Sequence, residues 1–352
     1  MNDPKYIGMD VHMAMTVIAV LNSAGKVVAE AIIETTASAI LDFLKSQRST
    51  VHVTFEEGTQ AAWLYDLIHP HVAEVVVCDP RQIAEQGNKS DRTDAKRLAE
   101  LLRTNGLKAI YHGEHGTQAL KELAHSYGSI IRDGTRVKNR LKGLFRGRGI
   151  VCRGTGVYSE EERDQWVKRL DHAALRVRIC RLWKELDLLV QLRKEAEKDL
   201  MAEAHKHPEI KILRSIPGIG PLRAAVILSF AITPYRFRTR KQFWRYCGLG
   251  LRSKVTSEYA LVQGRVCRSK KRPLVRGLDP DYNHALKEAF KGAAVTAAMG
   301  PWKSHFDAMV ENGTRAPLAL LTLARKIAVI AWVLWKKGER YDENKVKFVH
   351  AA

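Results

Sequence analysis

The 352-residue chain is 45% apolar and 27% charged, with all three aromatic types present. This composition excludes a disordered, collagenous or membrane-spanning class and predicts two or three domains. Lys and Arg number 58 against 38 Asp and Glu, a formal net charge of +20, and the usual partners of such an excess are nucleic acids or anionic membranes. The excess is lopsided: residues 1–112 hold 11 basic and 14 acidic side chains, net −3, which leaves +23 on the rest.

Met1–Lys5 is polar and the next apolar run is broken by Asp10 and His12, so a secretory leader is not expected and the protein should stay in the cytoplasm, close to the nucleoid. Tyr6–Asp10, Met15–Leu21 and Lys26–Ile33 read as three strands of a meander, with turn residues Asn22–Gly25 between the last two. A helix over Ala37–Lys45, a strand over Val51–Phe55, a helix over Gln60–His69 and a strand over Glu74–Val77 follow. Three antiparallel strands and then helix, strand, helix, strand is the order of a ribonuclease-H-like, that is RuvC-like, α/β domain. A further helix starts at Ser90 or Asp91 and runs to Arg103.

Gln118 to Gly147 is helical and basic, and Gly147 and Gly149 break it. From Ser159 to His205 an apolar stripe passes through Trp166, Leu170, Ala173, Val177 and Cys180, then Leu186, Leu189, Leu192, Ala196 and Leu200. Unbroken, such a helix reaches roughly 70 Å, the length of a coiled-coil arm that spaces or dimerises; two shorter helices folded together are the alternative. From Pro208 the pattern is a helical hairpin around Ile216–Pro221, a Gly-rich basic loop from Gly248 to Arg276, and helices over Asp281–Gly292 and Pro317–Trp335. Arg325 and Lys326 split the last stretch, which reads as a core helix and not a membrane span. The expected division is therefore a RuvC-like domain with a basic helical extension (1–155), a helical coiled-coil linker (156–207) and a mainly helical C-terminal domain (208–352). Cys78, Cys152, Cys180, Cys247 and Cys267 form no C-x-x-C pair, so neither a zinc knuckle nor a disulfide framework is indicated.

Three constellations can carry chemistry. Asp10 ends the first strand, Glu56 follows the fourth, and Asp91 and Asp94 share a helix face. In a ribonuclease-H-like sheet those places converge, and four carboxylates can hold two Mg²⁺ ions roughly 4 Å apart for chemistry at phosphorus. Second, Gly218 and Gly220 lie in a helix-hairpin-helix pattern, whose backbone N–H groups suit a phosphate. Third, Arg132, Arg136, Lys138, Arg140, Lys142, Arg146, Arg148 and Arg153 form one basic run, and Arg252, Lys254, Arg265, Arg268, Lys270, Lys271, Arg272 and Arg276 form another. Backbone phosphates are the expected ligand, with affinity falling about 0.9 log unit per log unit of salt for each phosphate neutralised. No basic amphipathic helix with an exposed aromatic face favours a membrane.

Ile7-Gly8-Met9-Asp10-Val11-His12, Phe55-Glu56-Glu57-Gly58, Asp79-Pro80-Arg81, Ser90-Asp91-Arg92-Thr93-Asp94, Ile216-Pro217-Gly218-Ile219-Gly220-Pro221, Tyr246-Cys247-Gly248-Leu249-Gly250 and Arg276-Gly277-Leu278 together resemble the IS-one-ten insertion-sequence family of DEDD transposases, which includes Piv-type DNA invertases and bridge-RNA-guided recombinases. The resemblance covers nearly the whole chain. It implies a RuvC-like domain whose acids are Asp10, Glu56, Asp91 and Asp94; Glu56 is chosen over Glu57 because the family's acid follows the strand's last apolar residue and stands two before a glycine, here Gly58. It also implies a C-terminal transposase domain with a nucleophilic serine after the Gly-Leu-Gly element, where Ser253 and Ser257 are candidates and Ser257, preceding Glu258-Tyr259, is preferred. The expected activity is DNA strand cutting and rejoining through a phosphoserine link aided by Mg²⁺. The expected partners are donor and target DNA, a structured noncoding guide RNA and a second copy, as a homodimer or homotetramer. A RuvC-like metal-dependent nuclease without serine chemistry, and a non-catalytic nucleic-acid-binding protein, are the other readings.

Overall fold

The computed structural model describes residues 3–80, 90–112, 116–254, 259–263, 265–268 and 274–345. The chain divides into two compact units, Met1–Glu114 and His115–Ala352.

The first unit is built on strands β1 (Lys5–Val11), β2 (Met15–Leu21), β3 (Val27–Glu34), β4 (Val51–Glu56), β5 (Glu74–Cys78) and β6 (Ala109–Ile110), with helices α1 (Ala37–Ser46), α2 (Ala61–Ile68) and α3 (Asp91–Arg103). The six-stranded sheet has the order β3-β2-β1-β4-β5-β6. β1 and β4, and β4 and β5, pair in parallel, while the β1-β2-β3 meander and the β5–β6 pair are antiparallel. This is the topology expected from the element order.

Side-chain alternation along β1 sorts the two faces. Ile7 and Met9 join Val53, Phe55, Ile40, Leu44, Leu64 and Ile68 in the core under α1 and α2. Gly8 faces α3. A Cβ at Gly8 would lie 2.1 Å from the Ala95 carbonyl oxygen and 2.5 Å from the Ala99 nitrogen, so only hydrogen fits between strand and helix. On the other side of the contact, the small buried residues Ala95 and Ala99 let the α3 backbone come close to the sheet. Ser90 caps α3, its hydroxyl accepting from the Thr93 N–H.

The second unit is helical. Its longest elements, α4 (Gln118–Arg146) and α6 (Ala173–Ala204), pack against each other in opposite directions. Val137, Leu141 and Phe145 meet Ile179, Leu182, Trp183 and Leu186 at one end. Leu120 and Ala124 share a cluster with Leu200 and Ala204 at the other. The single helix read over Ser159–His205 is thus corrected. A short α5 (Arg163–Lys168) is followed by a bend at Leu170, then by α6, whose 32 residues span about 48 Å. Leu170 is 1% exposed and its carbonyl accepts from Arg176 Nε at 2.7 Å, so burial of Leu170 and Trp166 outcompetes helix continuity. The stripe's buried positions face α4 of the same chain.

Helices α7 (Glu209–Arg214), α8 (Pro221–Ala231), α9 (Arg240–Tyr246), α10 (His284–Met299), α11 (Lys303–Glu311) and α12 (Ala316–Lys337) complete the unit. By length and composition α12 is the one helix of the described residues able to cross a membrane, but Leu323, Ala324, Ile327, Ala328 and Ala331 are buried in the helical core. The stretch read as a Gly-rich loop forms short strands instead: β7 (Leu251–Lys254), β8 (Tyr259–Val262), β9 (Arg265–Arg268) and β10 (Leu274–Leu278). β7 pairs antiparallel with β10, Leu251 opposite Leu278, and β8 with β9. The base of this excursion is closed by Asp279 N–H to Gly250 O at 3.1 Å and by an ion pair of Arg245 Nε with Asp279 Oδ2 at 2.7 Å. Arg325 of α12 donates to Leu249 O at 2.7 Å just before it. All five cysteines are free.

Candidate metal centre

Asp10 lies two residues beyond Gly8 on β1, hence on the face that meets α3. The close approach allowed by Gly8 brings in the first turn of α3, with Asp91 and Asp94. Between them sits His12, just past the strand. Its backbone is pinned: His12 N–H donates to Met15 O at 3.0 Å, and His12 O accepts from Thr35 Oγ1 at 2.9 Å. His12 Nε2 is 3.3 Å from Asp10 Oδ2 and 3.5 Å from Asp91 Oδ2. One ligand atom each from Asp10, His12 and Asp91 lies within 4.8 Å of the others.

The electrostatics fit a site made to receive positive charge. Burial pushes the Asp10 carboxyl up, and the negative charges of Asp91 and Asp94 push the same way, while His12 pulls it down; the net is a raised value. Asp10 is 20% exposed at its side chain and Asp91 61%, so the cluster opens to solvent on the helix side. Glu56 ends β4, one residue past the Met9–Phe55 pair, which puts it beside Asp10 on the same face. Burial, and then the charge of Glu56, push the neighbouring Cys78 thiol up to about 11. Glu57 points elsewhere, its Oε2 held by His112 Nε2 at 2.7 Å.

The structure therefore gathers Asp10 and Asp91 directly, sets Asp94 close enough for its charge to act on Asp10, and places Glu56 on the adjoining strand. His12 stands at the centre of the group, a residue to which the sequence pattern assigns no role. A carboxylate set is the donor chemistry of hard divalent cations, and an imidazole added to it widens the fit toward Mn²⁺ and its neighbours. Residues present and group implied agree.

The residues expected to bind nucleic acid fare variously. On α4, Arg136 pairs with Asp133 at 2.7 Å and Arg140 with Glu185 at 3.0 Å. Lys138 and Lys142 stand over the Tyr158 ring, and Lys142 Nζ also donates to Gly154 O at 2.7 Å. Arg146 and Arg148 are exposed at the end of the helix. Exposed pairs of this kind contribute about 0–1 kcal/mol, so a phosphate can compete for their cations. Gly218, at φ +83°, turns the chain between α7 and α8; a Cβ there would lie 2.2 Å from Ala293 O, and its own carbonyl accepts from Arg223. Its first duty is packing against α10. Gly220 caps α8 with nothing near its Cβ position. Arg252, Lys254 and Arg268 lie on the short strands β7 and β9, and Ser253 on β7. Ser257, Lys270, Lys271 and Arg272 lie outside the described residues.

Residues 7–148 match a family model described as a transposase, the DEDD group of IS110, and residues 210–278 match one described as the transposase IS116/IS110/IS902 family. A Sinorhizobium fredii protein assigned as a transposase is 26% identical over 263 residues, 72% of this chain and 64% of its own length. A Pseudomonas aeruginosa protein assigned to the family 20 transposases is 25% identical over 47% of this chain and 50% of its own length. The transposase for insertion sequence element IS1111A of Coxiella burnetii is 23% identical over 73% of this chain and 69% of its own. The chain thus spans less than two thirds of the length of the first two.

Proposed function

The chain belongs to the IS110/IS116/IS902 family of transposases, and from that premise we propose that it cuts and rejoins DNA as the transposase of an insertion sequence. The observation that carries this reading is the convergence of Asp10, His12 and Asp91 within 4.8 Å of one another on an open face of a ribonuclease-H-like sheet. Asp10, Asp91, Asp94 and Glu56 would hold a divalent ion, Mg²⁺ in this reading. Bound there, the ion would neutralise charge on a scissile phosphate and favour the ionised form of an attacking hydroxyl.

The chain's own residues supply the rest. The raised Asp10 carboxyl, crowded by Asp91 and Asp94, is a poor place for bare negative charge and a good one for a cation. His12 Nε2, 3.3 Å from Asp10 Oδ2 and 3.5 Å from Asp91 Oδ2, would orient the aspartates or, turned outward, add a nitrogen ligand. The nucleophile we favour is Ser257, with Ser253 of β7 second. Its Oγ would form a bond to the scissile phosphorus as a DNA oxygen leaves with the serine proton. One phosphodiester replaces another, so resealing needs no high-energy cofactor. Basic side chains on α4, β7 and β9 would hold donor and target DNA and, in this reading, a structured guide RNA, with at least two copies of the chain assembled on them.

The test is recovery of DNA covalently attached to protein. Wild type should yield it with Mg²⁺ or Mn²⁺, while Ser257→Ala and Asp10→Asn should not. A fully active Ser257→Ala with active Ser253→Ala would instead leave a metal-dependent nuclease acting with water.

A further inference from the structure

A cleft of the helical unit has no part in the chemistry above. It opens between α4, α8 and α10 with a volume of about 640 Å³, inside the range of about 300–1,000 Å³ of pockets that take small ligands. Its floor is apolar: Leu222, Val226 and Phe230 stand on one face of α8 at successive turns. Its rim is cationic, with Arg132 and Arg136 from α4 and Arg223 from α8, and among the described lining residues Glu288 is the single acid.

The arginines are held differently. Arg223 is fixed by donating from Nη1 to Gly218 O at 2.8 Å and to Thr296 Oγ1 at 3.0 Å. Arg132 donates to Ser129 Oγ at 2.9 Å and, among the described residues, has no carboxylate partner. His125 stands edge-on to Phe230 with ring centroids 4.9 Å apart. Burial, and then Lys121, push this imidazole down, so a neutral ring with one donor and one acceptor borders the floor.

An apolar floor beside a donor and acceptor, under arginines, matches a heterocyclic base with its phosphate. A duplex keeps its bases stacked and cannot fill such a recess; an unpaired base can. We propose that this cleft binds an unpaired nucleotide, its base against Leu222, Val226 and Phe230 and its phosphate on Arg132 and Arg223. The assignment rests on the nucleic-acid reading above and deepens it: the protein engages strands that have been opened, and not only duplex backbone.

Gly128 supplies the test. It lines the cleft on α4, and a Cβ there would meet only Arg132 Nη1, at 3.3 Å, the end of a flexible side chain. Gly128→Leu therefore fills the recess while favouring the helix. Full-length protein is titrated with short single-stranded DNA and RNA of one sequence carrying 2-aminopurine, and with the matching DNA duplex. Anisotropy reports binding, and 2-aminopurine emission reports the base's surroundings. Wild type should bind a single strand and change its emission, and the preferred sugar identifies the source strand. Gly128→Leu should weaken that binding about tenfold and abolish the emission change without lowering the melting temperature. Arg132→Ala should weaken it and reduce the salt slope by about one. Single-strand binding indifferent to both variants overturns the cleft assignment and leaves duplex recognition standing. Wild type that binds neither strand nor duplex overturns the nucleic-acid reading and the cleft with it.

Discussion

Replacing Asp10 by asparagine should stabilise the protein without metal and destabilise it, relative to wild type, with metal. Asp10 and Asp91 carry oxygens within 4.8 Å of each other, and at that distance two negative charges repel by about 3 kcal/mol at an effective dielectric of 20 and by about 1 kcal/mol in water. Asp10 is 20% exposed and Asp91 61%, so the repulsion lies between these limits; burial of Asp10 adds to the cost and His12 offsets part of it, leaving a net penalty on the carboxylate. The amide of Asp10→Asn keeps the shape of the carboxylate and removes its charge. In EDTA the first unit of Asp10→Asn should therefore melt about 4 °C or more above wild type, since each kcal/mol moves a domain of this size by about that much. The sign with pH follows from the raised carboxyl. Below the ordinary Asp range both folded and unfolded forms are protonated and no penalty exists; stability is lost as pH rises through the folded-state value, and the Asn variant escapes that loss. With Mg²⁺ or Mn²⁺ at about 1,000 times its dissociation constant, wild type should gain about 4.1 kcal/mol and the variant little, reversing the order. Differential scanning fluorimetry across pH in EDTA and in each metal measures all of this. Equal melting in EDTA, or equal metal shifts in both proteins, would refute the argument that crowded carboxylates at Asp10 await a cation.

Gly8→Ala should cost about 3 kcal/mol or more, because a methyl 2.1 Å from the Ala95 oxygen meets backbone and forces α3 away from the sheet; the surviving folded protein should lose its metal-dependent thermal shift. Arg325→Met should cost about 1–3 kcal/mol in urea by leaving Leu249 O without its donor. Phe145→Ala, emptying a position at 0% exposure against Trp166 and Trp183, should cost about 3–5 kcal/mol, read from the same titration.

The elements that carry the candidate metal centre were legible because they obey local rules. Strand alternation, a helix cap and two acids three residues apart at a helix start are all written in sequence, and the fold brings Asp10 and Asp91 together. His12 was not legible: an isolated histidine in a turn carries no periodic signal, and only the β1–β2 turn together with the packing of α3 on β1 at Gly8 brings its ring between two aspartates. The break before α6 left no mark, since Arg169-Leu170-Asp171-His172 contains neither Gly nor Pro; it arises from burying Leu170 and Trp166 together. Residues 251–278 hid their strands because the paired segments are four or five residues long and interrupted by arginine and lysine. The basic run on α4 was legible as charge but only partly as availability: Asp133 stands one turn from Arg136 on the same helix, whereas Glu185 and Tyr158 approach from places the local pattern does not reveal.

The closed base of the β7–β10 excursion sets what can vary here. With Gly250 and Asp279 hydrogen-bonded and Arg245 and Arg325 bracing the same corner, everything between them leaves and re-enters the helical unit at one point. Lengthening a loop whose ends are already together is cheap, about 0.6 kcal/mol for each doubling. A change of length between Gly250 and Asp279 should therefore leave α8, α10 and α12 as they are. Grafting this segment between relatives across the Gly250–Asp279 junction is a transplant the rest of the unit should tolerate.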